Sequence, residues 1–295
     1  MLSSFKRVAA LIGLYVLACA PAIVSRELRD ELGRHVAVPD DPQRVVCLAP
    51  SLTETVYALG LGAAVVGVTT FTDYPPEARG KPSVGGLTDA SLEKIISLRP
   101  DLVLAMGELN RQETVEELQH LGIPVFVVDP RGLQGIVASI QHVGDALGRS
   151  TAARGLLERL EGRRLDIITR VERLARPKIL VVIWYDPVIT AGNKSFVTDV
   201  ISAAGAQSVT ADIPQAWPQI SLEEVLRRSP DWVLLVRGGH GGITLEDLKA
   251  RPGWAQLKAV SDNHVIYMDE QIFHPSPVVF DALEQLAKKL HPEAF

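Results

Sequence analysis

One stretch of this chain occurs twice. The run Ser91-Leu92-Glu93-Lys94-Ile95-Ile96-Ser97-Leu98-Arg99-Pro100-Asp101-Leu102-Val103-Leu104 aligns with Ser221 to Leu234, and seven of the fourteen positions (Ser, Leu, Glu, Pro, Asp, Val, Leu) are identical. Each copy is a helix, a turn where proline ends that helix, and an apolar strand. A single copy is a common unit, but two copies in separate halves imply two similarly built lobes. A length of 295 residues suits two domains better than one.

The rest of the pattern agrees. Val45 to Leu48, Val65 to Val68, Leu102 to Ala105 and Val125 to Val128 are short apolar runs of the kind that form buried parallel strands. Thr53 to Leu61, Leu92 to Leu98, Gln112 to Leu121 and Ile136 to Leu147 carry apolar residues at helical spacing between them. The second half repeats this alternation, with strands at Ile179–Ile183, Trp232–Val236 and Val265–Met268 and helices from Phe196, Leu222 and Pro277. The expected fold class is therefore α/β, with two Rossmann-like lobes over residues 44–148 and 177–295. Residues 150–176 form the connection. There Leu156, Leu160, Ile167, Val171 and Leu174 make one apolar stripe, Ser150 is a candidate cap and Pro177 a stop. A helix of about 25 residues would span about 37 Å, long enough to run behind both lobes and stiff enough to limit hinge closure. The alternative is an ordinary surface helix within one domain.

The N-terminus is of another kind. Lys6 and Arg7 precede an apolar stretch from Val8 to Ala20 that is too short for a permanent membrane span, so residues 1–20 are expected to be a signal peptide. Val16-Leu17-Ala18-Cys19 resembles a lipoprotein cleavage site, which would make Cys19 a lipid-carrying residue; ordinary cleavage near Ala20 or Ala22 is the alternative. Cys47 sits in a strand and is expected to be a small buried side chain. A net charge of -5 argues against nucleic acid as a partner. Enzyme signatures are also missing: there is no Gly-x-Ser-x-Gly elbow, no phosphate loop and no His-Glu-x-x-His helix. The seven histidines are scattered, so no metal site is expected.

In open α/β sheets the ligand sits beyond the C-terminal strand ends, and two lobes would face such ends across a cleft. The residues there are Pro50 and Ser51, Met106 and Gly107, and Asp129 to Arg131 in the first half. The second half supplies Trp184, Tyr185, Arg237, His240, Glu270, Phe273 and His274. Two loops carry rings beside prolines, Phe71-Thr72-Asp73-Tyr74-Pro75-Pro76 and Ala216-Trp217-Pro218-Gln219. Aromatics make up only 5% of the chain, so rings in loops suggest a flat or apolar ligand, although any one ring could simply pack its own loop. Trp232 and Trp254, in a strand and at a helix start, are expected in the core.

Arg44-Val45-Val46-Cys47-Leu48-Ala49-Pro50-Ser51-Leu52-Thr53-Glu54, Asp73-Tyr74-Pro75-Pro76, the paired Leu-Glu helix starts, Trp217-Pro218-Gln219 and Pro275-Ser276-Pro277 together resemble the periplasmic cobalamin-binding proteins. They also resemble the related helical-backbone receptors for siderophores and haem. The resemblance implies a monomeric class III binding protein of an ABC importer that needs no cofactor and delivers a tetrapyrrole-like ligand to a permease dimer. It assigns ring contacts to Tyr74 and Trp217, and permease docking to Glu93 and Glu223, whose acidic charge the helix dipole favours in any case. Leu87 and Met106 stand where that family has tryptophans, and Glu270 and His274 replace an Asp and Arg pair. These departures leave open another corrinoid, or haem with His274 or Tyr74 near the iron. A chelatase-like or hydrolytic enzyme using Ser51 or His274 is the rival class.

Overall fold

The computed structural model describes residues 25–237 and 242–295. Its first lobe begins with a hairpin, β1 (Ser25–Arg29) and β2 (His35–Pro39), ahead of the expected start at Arg44. Val36 and Val38 are buried in the lobe's core, and Glu31 N–H donates to Val127 O, so the hairpin belongs to this lobe. Then follow β3 (Val45–Cys47), α1 (Pro50–Ala58), β4 (Val65–Gly67), α2 (Leu92–Ser97), β5 (Leu102–Met106), α3 (Gln112–His120), β6 (Val125–Val128) and α4 (Gly132–Ala146). The second lobe contains β7 (Lys178–Val182), a ribbon of β8 (Trp184–Tyr185) and β9 (Val188–Ile189), α6 (Phe196–Ala203), β10 (Gln207–Ser208) and β11 (Gln219–Ile220). It continues with α7 (Leu222–Arg228), β12 (Trp232–Arg237), α8 (Leu245–Lys249), α9 (Lys258–Ser261), β13 (Val265–Asp269) and α10 (Val278–Leu290). Between the lobes runs α5 (Ser150–Val171).

The two main sheets are parallel and share one topology: β4-β3-β5-β6 in the first lobe and β10-β7-β12-β13 in the second. In each sheet the strand that comes first in the chain lies between the second and the third, so strand order reverses at the central pair. The duplicated segment explains the likeness in atomic terms. Ser91 and Ser221 cap their helices by accepting from Lys94 N and Glu224 N. Arg99 and Ser229 take the left-handed conformation before the proline (φ 46° and 49°) and end the helix. Asp101 then accepts from the backbone N–H groups of Gln43 and Arg44 at 2.8 and 3.0 Å, and Asp231 from Lys178 N–H at 2.8 Å. One repeat therefore caps a helix, closes a turn and fixes the start of the neighbouring strand.

The connecting helix is shorter than expected. It ends at Val171, so Leu174 lies beyond it, half-buried, and the 22 residues span about 33 Å. Its N-cap is Arg149, and Ser150 is the first helical residue rather than the cap. Ala153, Leu156, Leu160, Ile167 and Val171 form its buried stripe, which packs on α4 of the first lobe and α10 of the second. A second tie joins the lobes directly: the Asp199 carboxylate on α6 accepts from Leu133 N–H at 2.8 Å, at the N-terminus of α4. Among the described residues no helix is long and apolar enough to cross a membrane.

Candidate functional site

Where the two sheets present their strand ends there is a cavity of about 430 Å³, within the usual range for small-ligand sites. Its walls come from the reversal points of strand order. Pro50 and Ser51 follow β3 and Leu109 follows β5; opposite them, Val182 ends β7, Ile183 follows it and Val236 lies near the end of β12. This is the crevice that parallel sheets open where neighbouring connections diverge to opposite faces, here built from both lobes at once. Asn110 organises the first-lobe wall: its Oδ1 accepts from Met106 N–H at 2.7 Å, and its Nδ2 donates to Leu48 O and Leu87 O at 2.8 and 2.9 Å. Those three bonds fix the ends of β3 and β5 relative to the loop that brings Leu87 to the cavity.

Rings close the remaining sides. Trp217 packs edge-on against Phe273 with centroids 6.0 Å apart, and Phe71 enters from the first lobe. Both Phe71 and Trp217 keep much of their surface in solvent, at 61% and 43% exposed. Such large rings left exposed around a hollow have apolar area still to bury.

Behind the cavity wall, His274 joins a buried polar cluster. His274 Nδ1 lies 2.6 Å from Glu54 Oε1, and Ser276 Oγ donates to Glu54 Oε2 at 2.5 Å. Glu54, on α1 of the first lobe, is only 2% exposed, while both donors belong to the second lobe. Burial pulls the His274 pKa down, but the bond to Glu54 and the charges of Glu54, Glu270 and Asp73 outweigh it and hold the imidazole above its ordinary value. Among the described lining residues Glu270 and His274 are the two ionisable ones, and there is neither lysine nor arginine. Among the described residues no group of three or more His, Cys, Asp or Glu could hold a metal ion.

Of the expected contact residues, Pro50, Ser51, Leu87, Trp217, Glu270, Phe273 and His274 line this cavity, and four do not. Tyr74 lines a separate notch of about 190 Å³ beside Asp269 and Gln271, and Phe71 of the same loop takes the cavity position. Met106 is 4% exposed and packs in the core, because β5 runs one residue past Ala105; it also lines a separate small pocket shared with Trp217 and Pro275. Trp184 and Tyr185 are carried off by the β8–β9 ribbon. There they stack on each other, and Arg251 lies over the Tyr185 ring at 3.8 Å. Glu93 and Glu223 occupy matching exposed positions in the first turns of α2 and α7. Cys47 is buried and its thiol is pushed up to about 12, which makes it unreactive. Trp254 is in the core, and Trp232 is half-buried and stacks on His264 at 4.7 Å. Cys19, the signal segment and His240 lie outside the described residues.

The likeness to known proteins extends over both lobes. The ABC transporter substrate-binding lipoprotein YvrC of Bacillus subtilis is 29% identical over 90% of this chain and 85% of its own length. The vitamin B12-binding protein of Pectobacterium carotovorum is 31% identical over 84% of this chain and 88% of its own. Among solved structures, the periplasmic heme-binding protein RhuT of Roseiflexus superposes with a TM-score of 0.77 at 28% identity, covering 86% of this chain and 99% of that one. The periplasmic binding protein model matches residues 45–272, a span that takes in both sheets, the connecting helix and most of the cavity wall, and this chain belongs to that family.

Proposed function

We propose that this chain is the exported substrate-binding component of an ABC importer, and that it captures cobalamin or a related corrinoid for a membrane permease. The observation that carries the reading is the chemistry of the cavity: an apolar hollow edged by exposed rings, with one carboxylate, one imidazole and no lysine or arginine among its described lining residues. A flat macrocycle satisfies the rings by stacking and apolar contact. Corrinoids carry a periphery of neutral amides, which need hydrogen-bonding partners and no counter-charge. Haem carries carboxylates, which lose hydration without gaining a cation in such a lining. The curated relative that binds vitamin B12 supports the same choice.

A second reading has one observation in its favour. An imidazole oriented through Nδ1 by a buried carboxylate is the arrangement that suits a histidine ligating iron through its other nitrogen, so haem is the alternative cargo. Titration calorimetry with cyanocobalamin and with hemin, read beside the visible spectrum, separates the two. Cobalamin binding weakened about thirtyfold by Trp217→Ala, the size expected for a central tryptophan, supports the corrinoid reading. A shifted Soret band with no cobalamin heat overturns it.

In this role the chain acts as a monomer, by binding rather than by catalysis. Delivery needs a docking surface on each lobe, and Glu93 and Glu223 supply one acidic anchor apiece. A lipid on Cys19 would keep the receptor at the membrane that holds its permease.

A further inference from the structure

Glu54 does not line the cavity, yet it is the buried acceptor that ties His274 and Ser276 to the opposite lobe. Its carboxylate takes a hydrogen from Nδ1, so the His274 edge facing Glu54 is spoken for in either protonation state. The other ring nitrogen, Nε2, has no hydrogen bond among the described residues, and His274 itself is part of the cavity wall. We propose that Glu54 is a positioning residue that pins the His274 tautomer, so that His274 presents Nε2 to the ligand as a donor when protonated and as an acceptor when neutral.

The consequence follows from proton counting. Imidazolium carries a proton on both nitrogens and offers Nε2–H to a carbonyl on the ligand. On deprotonation the proton on Nδ1 stays there, donated to the Glu54 carboxylate, and Nε2 is left with a lone pair. The groups that face His274 are Glu54 from α1, Asp73 from the loop after β4 and Glu270 beside it in its own segment; all three are acidic, and all favour the protonated ring. The donor form is therefore present below the raised His274 midpoint and is lost as pH rises through it. Applied to ligand capture, this rests on the corrinoid reading, since amide carbonyls on the cargo are what an Nε2–H donor recognises. A metal-centred cargo would show the opposite pH dependence, because iron coordinates the bare lone pair.

Two measurements test the proposal. The first uses ligand-free protein, following the imidazole by NMR and assigning His274 through the resonance lost in His274→Gln. It should titrate above ordinary histidine, and Glu54→Gln should move it below its wild-type position. The second follows cyanocobalamin affinity against pH through quenching of tryptophan fluorescence. Wild type should lose about tenfold across the His274 titration, the value of one charge-assisted hydrogen bond. The drop should shift to lower pH in Glu54→Gln. A wild-type His274 that titrates at or below the ordinary value, or a Glu54→Gln protein with an unaltered profile, overturns the proposal. If Glu54→Gln does not fold, the wild-type titration decides by itself. If cyanocobalamin is bound at no pH, the corrinoid reading falls while the NMR titration still decides the role of Glu54.

Discussion

Asn110 shows how much of the site one side chain can hold. It satisfies the backbone at the ends of two strands and at Leu87, so truncation leaves three partners short in a partly buried place. At roughly 0.5 to 1.5 kcal/mol for each bond, Asn110→Ala should lower unfolding free energy by about 2 kcal/mol, read as a shift of the urea midpoint with unchanged slope. Ligand affinity should fall too, since Leu87 and Leu109 flank the freed loop. Nothing in the sequence marked Asn110, because a loop asparagine between a strand and a helix is ordinary. The rings were legible only as a set. The loop carrying Phe71 and Tyr74 could be identified as a wall, but which ring faced inward depended on how the loop packs against the segment around Gln271, a contact between residues far apart in the chain. Met106 illustrates the same limit: a strand that runs one residue further turns an expected contact into core.

At the scale of elements, the regular units could be read from periodicity, since parallel strands are continuous apolar runs and their helices carry stripes. The hairpin β1–β2 escaped because its one signal is Val36 and Val38 alternating with exposed residues, and buried Asp30 is held by Arg34 and by the backbone N–H groups of Leu32, Arg34 and Val127, partners that only the fold assembles. The β8–β9–β11 ribbon escaped because strands of two residues have no period to detect. The joint between α4 and α6 was also beyond the sequence, since Asp199 caps a helix of the other lobe. That cap also explains Gly132, at φ 66°, where an added Cβ would come within 2.9 Å of the Asp199 carboxylate. Asp199→Ala should cost about 1 kcal/mol, as lost N-caps do. Because the cap bridges lobes, hydrogen exchange should rise at the first turn of α4 and at α6 together. Faster exchange confined to α6 would mean that the bond does not couple them.

For the whole molecule, the duplicated segment repeats a surface feature as well as a fold. Helix α2 leads through a short turn into β5, as α7 leads into β12, so the first turns of the two helices hold equivalent places in the two lobes. Glu93 and Glu223 therefore occupy one matching position in each lobe. Both are exposed, and neither forms an ion pair among the described residues, whereas nearby Glu224 pairs with Arg227 and Arg228. A helix-dipole role alone would be worth a few tenths of a kcal/mol to each helix and nothing to a partner. Docking makes a different prediction. The double variant Glu93→Gln, Glu223→Gln should unfold within about 0.5 kcal/mol of wild type and bind ligand unchanged, yet uptake should drop at limiting receptor concentration, with each single variant intermediate. The salt dependence of uptake should weaken with it, because exposed charge pairs across an interface are screened beyond about 8 Å at physiological ionic strength. Uptake that stays at the wild-type rate in the double variant would place the docking surface elsewhere, and the matched glutamates would then serve only the dipoles of their own helices.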